Sequence, residues 1–141
     1  MMNYLIYIST SIKLFTDADL KNLLTQSRLN NSKHGITGII LYNKGTFFQV
    51  LEGEEEQLTI TFEKIKHDPR HKGIIIMKTG TVSRRNFPEW SMGFTTTVPD
   101  SFSTLPGFVD PAKMNFIYDY NMDHPAINLL RSFTLNNNFV Y

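Results

Sequence analysis

Apolar positions in this chain recur with a period that changes along its length. "NYLIYIS" (3–9) is dense in β-branched and aromatic residues and predicts a buried strand. In "TDADLKNLLTQSRLNN", Leu20, Leu23, Leu24 and Ser27 fall at i, i+3, i+4 and i+7, the stripe of a helix facing a core. Thr16 and Asp19 at its start have the spacing of a capping box. "HGITGIILYNKGTFFQVLEG" predicts two strands joined at Asn43-Lys44-Gly45. A second helix begins in "EEEQLTITFEKIKHD": Glu54, Glu55 and Glu56 suit the positive end of a helix dipole, and Leu58, Phe62 and Ile65 supply the stripe. "KGIIIMKTGTV" predicts another buried strand, and Trp90, Met92 and Phe94 alternate as in a last one.

The predicted order is βαββαββ, a ferredoxin-like α+β sandwich with both helices on one face of a mixed sheet. From Pro99 the chain is richer in Pro, Asn and Asp and carries two weaker helical patterns. Met114, Ile117 and Tyr118 mark the first; Pro125, at a favoured first helical position, opens the second, with Ile127, Leu130 and Phe133 following. The expected organisation is one domain over 1–98 and a helical extension over 99–141. The extension would cover the sheet face left bare or mediate assembly. Its Phe116, Tyr118, Tyr120, Phe133 and Phe139 are more aromatic surface than two short helices usually bury alone, which predicts a homo-oligomer.

One position breaks the pattern. In "GTFFQVLEG" (45–53) Phe47, Gln49 and Leu51 share a face, and Thr46, Phe48 and Val50 are also mostly apolar, so both faces of this strand are buried. A primary amide on such a face carries two donors and two acceptor lone pairs, each costing about 1–3 kcal/mol if unpaired. Gln49 needs partners from the fold or from something bound to it. Other polar residues have two readings each. Tyr7 is a core tyrosine or a site residue; Asn31, after the first helix, is a C-cap or a ligand contact. "KIKHDPRHKG" (64–73) is a solvated basic loop or a place where Arg70 and His71 hold a phosphate. Trp90 and Met92 read as a core pair.

Composition narrows the chemistry. The 141 residues are 41% hydrophobic and 19% charged, as in a folded domain. A net charge of +1 gives no electrostatic footprint for nucleic acid or an acidic membrane. The absence of cysteine excludes disulfides, thiolate–zinc sites and thiol nucleophiles. There is no run of ~20 apolar residues and no signal-peptide start, so a cytoplasmic protein is expected. Phosphate-loop, dinucleotide, zinc-protease and nucleophile-elbow motifs are missing. His34, His67, His71 and His124 lack carboxylate partners at ligand spacing, so no metal site is expected.

Taken together, Tyr7 with Ser9, Asn31 before "GITG", "FFQVLEG", "DPRH" and "RRNFPEWSM" resemble, in order and over about residues 3–95, the BLUF family of blue-light photoreceptors. The resemblance implies a flavin, FAD or alternatively FMN, held non-covalently between the two helices and the sheet. It makes Gln49 the amide that contacts flavin N5 and the C4 carbonyl, and Tyr7 its hydrogen-bond partner. Asn31 matches the residue that holds the uracil-like ring edge, and Leu23 and Ile65 the residues that sandwich the ring. Lys64, Asp68, Arg70 and His71 lie where the family contacts the ribityl chain and phosphate. Light would draw an electron and a proton from Tyr7 by way of Gln49, leave the amide rotated or tautomerised, and shift the absorption to the red. Trp90 and Met92, with Ser9, would relay the change to a downstream signalling protein. That describes a switch rather than a turnover enzyme. Two other readings stand beside it: an acylphosphatase-like hydrolase using Arg70 or Arg84, and a flavin-free interaction module.

Overall fold

The computed structural model describes residues 2–13, 15–43, 45–85 and 90–94. They form β1 (Met2–Ser11), α1 (Asp17–Lys33), β2 (Thr37–Asn43), β3 (Thr46–Gly53), α2 (Glu55–Lys66), β4 (His71–Val82) and β5 (Trp90–Phe94), the expected βαββαββ order. The strands make one sheet in the order β4-β1-β3-β2-β5. Every pairing is antiparallel except β2 with β5, which is parallel. The first four strands and two helices give the ferredoxin-like α+β arrangement, with β5 added outside β2. The expected helices of 99–141, and the side chains of Leu20, Trp90 and Met92, lie outside the described residues.

Local chemistry explains the boundaries. At the start of α1 the Asp19 amide donates to Thr16 Oγ1 and the Thr16 amide to Asp19 Oδ2, the capping box read in the sequence. The stem of α2 has Glu55 and Glu56 in its first turn and Lys64 and Lys66 in its last, complementing the helix dipole. Gly45, at φ 92°, closes the β2–β3 hairpin in a backbone region that side chains disfavour. Gly38 is required for closeness: a Cβ there would stand 1.9 Å from the carbonyl oxygen of Val50 on β3.

Both helices pack on one face. Leu5, Tyr7, Ile40, Phe47 and Leu51 of the sheet join Leu23 and Leu24 of α1 and Leu58 and Phe62 of α2 in one cluster. On the opposite face Ile6, Ile39, Leu41, Phe48 and Val50 are also buried. β3 is therefore covered on both sides, as its sequence required. β4 does not follow its expectation of burial. Ile75, Ile76 and Met77 are 57%, 50% and 44% exposed. The reason is position: β4 is an edge strand with β1 as its one neighbour, and its pairing is interrupted by two register shifts. An apolar run reads alike at a sheet's centre and at its edge. Among these residues Ile74 is the one packed against the core cluster.

Candidate functional site

β1 and β3 are adjacent, and their register sets Tyr7 directly opposite Gln49. Both side chains are 3% exposed, and the Tyr7 hydroxyl donates to Gln49 Oε1. The glutamine's acceptor is thus satisfied from within the sheet. Burial in low dielectric, with the negative charge of Asp68 second, pushes the Tyr7 phenol well above its ordinary pKa. A free phenolate is disfavoured there, so proton loss from Tyr7 requires that negative charge not accumulate on its oxygen. Continuing the row, Gln49 pairs with Ile40 on β2, and Ile40 with Met92 on β5. Trp90 pairs instead with Gly38.

Beside this pair His71 is fixed at both nitrogens. Nε2 lies 2.6 Å from the Ile65 carbonyl and Nδ1 2.8 Å from Ser9 Oγ. The carbonyl can only accept, so Nε2 carries the proton, and in the neutral ring Nδ1 accepts from the Ser9 hydroxyl. The imidazole stands edge-on to Phe47, with ring centres 6.4 Å apart. Ser9 is thereby tied to His71 and, through it, to the end of α2.

The space above Tyr7 and Gln49, between α1 and α2, is a pocket. Leu23, Asn31, Lys64, Ile65, Asp68, Arg70 and His71 line it together with Tyr7 and Gln49. The fold thus brings to one place nine residues that lie up to 64 positions apart in the sequence (from 7 to 71), with Ser9 directly behind them. At one end Arg70 grips Asp68: Nε lies 2.9 and 3.0 Å from the two carboxylate oxygens, while Nη1 reaches Gln26 at 3.0 Å. Partial burial works against ionisation of Asp68. The hydrogen bonds from the Arg70 side chain and amide, and the Arg70 charge, outweigh it and hold the carboxyl below its ordinary range. Lys64 Nζ approaches His34 Nε2 at 3.3 Å, and His34 Nδ1 lies 2.8 Å from Gln57 Oε1.

Two buried polar atoms are left over among the described residues, Asn31 Nδ2 and Thr61 Oγ1. Asn31 does not cap α1 with its side chain; His34 is the C-cap, and the Asn31 backbone carbonyl receives the His34 and Ile36 amides. Its amide nitrogen is a buried donor with no acceptor in the described protein, on the wall of the pocket. Sequence reasoning missed Thr61, and with it Gln26, Ser27 (read as part of the core stripe), Asn30 and His34 as pocket walls. A signal for Thr61 was present: it stands at i+3 between Leu58 and Ile65, a polar residue on an apolar stripe, as Gln49 is in its strand.

Apolar walls at Leu23 and Ile65, an unsatisfied amide donor, a second amide on the floor and cations at one end fit a planar heteroaromatic with a carbonyl-bearing edge and an anionic tail. A flavin has that chemistry. The comparisons with known proteins agree. Residues 2–93 match the BLUF family, described as sensors of blue-light using FAD. The alpha subunit of the photoactivated adenylate cyclase of Euglena gracilis is 40% identical over 75 residues, 53% of this chain and 7% of that protein. The blue light- and temperature-regulated antirepressor BluF of Escherichia coli (strain K12) is 29% identical over 117 residues, 82% of this chain and 28% of that one. This chain therefore spans a small part of these relatives' lengths. The dark-state structure of BlrB, a BLUF protein, superposes with a TM-score of 0.65 at 27% identity, covering 96% of each chain. The chain belongs to the BLUF family of flavin-dependent blue-light sensors.

Proposed function

We propose that this chain is a light-sensing switch, not an enzyme, that holds FAD non-covalently in the pocket between α1 and α2, with FMN as the alternative occupant. Tyr7 and Gln49 are its photochemical pair. Asn31 holds the ring edge, Leu23 and Ile65 sandwich the ring, and Lys64, Asp68, Arg70 and His71 serve the ribityl and phosphate end. The observation that carries this reading is the buried Tyr7–Gln49 hydrogen bond lying under a pocket with an orphaned amide donor on its wall. When bound, the flavin supplies blue-light absorption and an electron-accepting ring.

The chain's own residues account for the rest. Burial makes the Tyr7 phenolate costly, so the proton does not leave ahead of the electron, and it has a path along the hydrogen bond to Gln49 Oε1. A Gln49 amide that has received and returned a proton can settle with oxygen and nitrogen exchanged. That exchange is worth about 1–3 kcal/mol per buried hydrogen bond, comparable to a typical coupling between sites. The change then reaches β5, where the register row of Gln49 runs to Met92 and that of Leu51 runs to Trp90. From β5 the chain continues into 99–141, which we assign as a separate extension to the domain over 1–98. It answers to a second copy or a downstream signalling protein, in the cytoplasm. No described helix is long and apolar enough to cross a membrane.

The test is the purified chain. It should be yellow, release FAD on denaturation, and give a reversible red shift of flavin absorption under blue light. A protein that binds neither FAD nor FMN at micromolar concentration contradicts the reading.

A further inference from the structure

Three helical threonines in this fold can be compared. Thr25 Oγ1 donates to the Lys21 carbonyl at 2.8 Å and Thr59 Oγ1 to the Glu55 carbonyl at 2.9 Å, each four residues back. Both are exposed, yet both take the partner that helix geometry offers. Thr61 is 4% exposed, where an unpaired hydroxyl is least tolerable, and its Oγ1 has no partner among the described residues. It does not turn back to the Gln57 carbonyl as its exposed counterparts turn to theirs. Thr61 is one of three buried residues of α2, between Leu58 and Phe62, and it lines the pocket one turn before Ile65. Asn31 Nδ2, the other orphaned atom, lines the same pocket from α1. The two helices thus each bring one unsatisfied polar group to the cavity.

We propose that the Thr61 hydroxyl is a hydrogen-bonding contact to the bound flavin, made from the α2 wall opposite Asn31, and that it sets affinity rather than switching. A hydroxyl both donates and accepts, so it can serve a ring heteroatom or a ribityl oxygen. The proposal rests on the flavin reading, and its test separates the two.

Riboflavin and lumiflavin, which lacks the ribityl chain, are titrated into the refolded apoprotein of the native chain, Thr61→Val and Thr61→Ser. Valine keeps the shape and removes the hydroxyl, so Thr61→Val should weaken riboflavin binding by about five-fold or more, while Thr61→Ser stays within about two-fold. Equal weakening with lumiflavin makes the contact one to the ring; weakening confined to riboflavin makes it one to the ribityl chain. The apoprotein melting temperature of Thr61→Val should match or exceed the native value, because an orphaned polar group has been removed. Unchanged affinity for both flavins in Thr61→Val, or an apoprotein that fails to fold, overturns the proposal while native binding leaves the flavin reading intact. FAD is titrated alongside, and if the native chain binds none of the three flavins, both readings fail together.

Discussion

The floor of the pocket and its walls use the same kinds of buried polar group, but only the floor is satisfied from within. On the floor Tyr7 donates to Gln49, and Ser9, His71 and the Ile65 carbonyl form a closed chain of hydrogen bonds. On the walls Asn31 Nδ2 and Thr61 Oγ1 have no partner among the described residues. The floor therefore contributes to stability with or without a ligand, and it contains a path along which a proton can move. On the proposed reading the walls gain their hydrogen bonds when the flavin binds. Stability and affinity should then be separable by mutation, which a pocket of uniform chemistry would not allow.

The largest effect should come from breaking the floor's backbone. Gly38→Ala puts a Cβ 1.9 Å from the Val50 carbonyl oxygen, so β2 and β3 must separate under Gln49. A loss of about 3 kcal/mol or more is expected, read from the urea midpoint of the apoprotein. Next, Gln49→Leu strands the Tyr7 hydroxyl and should cost about 1–3 kcal/mol, whereas the double change Tyr7→Phe with Gln49→Leu should recover most of it. Additive losses in that cycle would deny the floor pair its coupling.

The walls should behave in the opposite way. Asn31→Ala should leave apoprotein stability within about 0.5 kcal/mol while weakening flavin binding by about ten-fold. A mutant that lost stability but kept its affinity would make Asn31 a structural residue. The smallest effect belongs to the anionic end. Asp68 has a folded-state pKa below its unfolded value, so its contribution is present above about pH 4 and is lost as pH falls through the folded pKa. The pair with Arg70 is partly exposed and screened, so acid titration of Asp68→Asn against the native chain should differ by only about 0.2–1 kcal/mol.

How much of this was legible in the sequence depends on what each residue was read against. Gln49 stood out because a strand's period of two assigns it a face before any partner is known. The helix start at Thr16 was legible because a capping box is local chemistry. Asn31 stayed undecided, since a cap and a ligand contact occupy the same stretch of sequence; the helix continues to Lys33 and leaves its amide facing the pocket instead. Thr61 was passed over because threonine is unremarkable in a helix, although its stripe position carried the same signal as Gln49. The edge position of β4 could not be read, because strand order in a sheet is set by crossovers and not by the strand's own apolar content.

The central claim is that the floor pair is the switch, and Tyr7→Phe tests it most directly, since it removes one oxygen and keeps the ring. The measurement is the light-minus-dark absorption spectrum of the flavin-loaded protein under blue light. The native chain should form a red-shifted state and return in darkness. Tyr7→Phe should stay yellow, with its flavin bound, and form no red-shifted state, because phenylalanine has no hydroxyl proton to give and is far harder to oxidise. A mutant that reaches the red-shifted state at the native yield would contradict the account and leave Tyr7 a core residue.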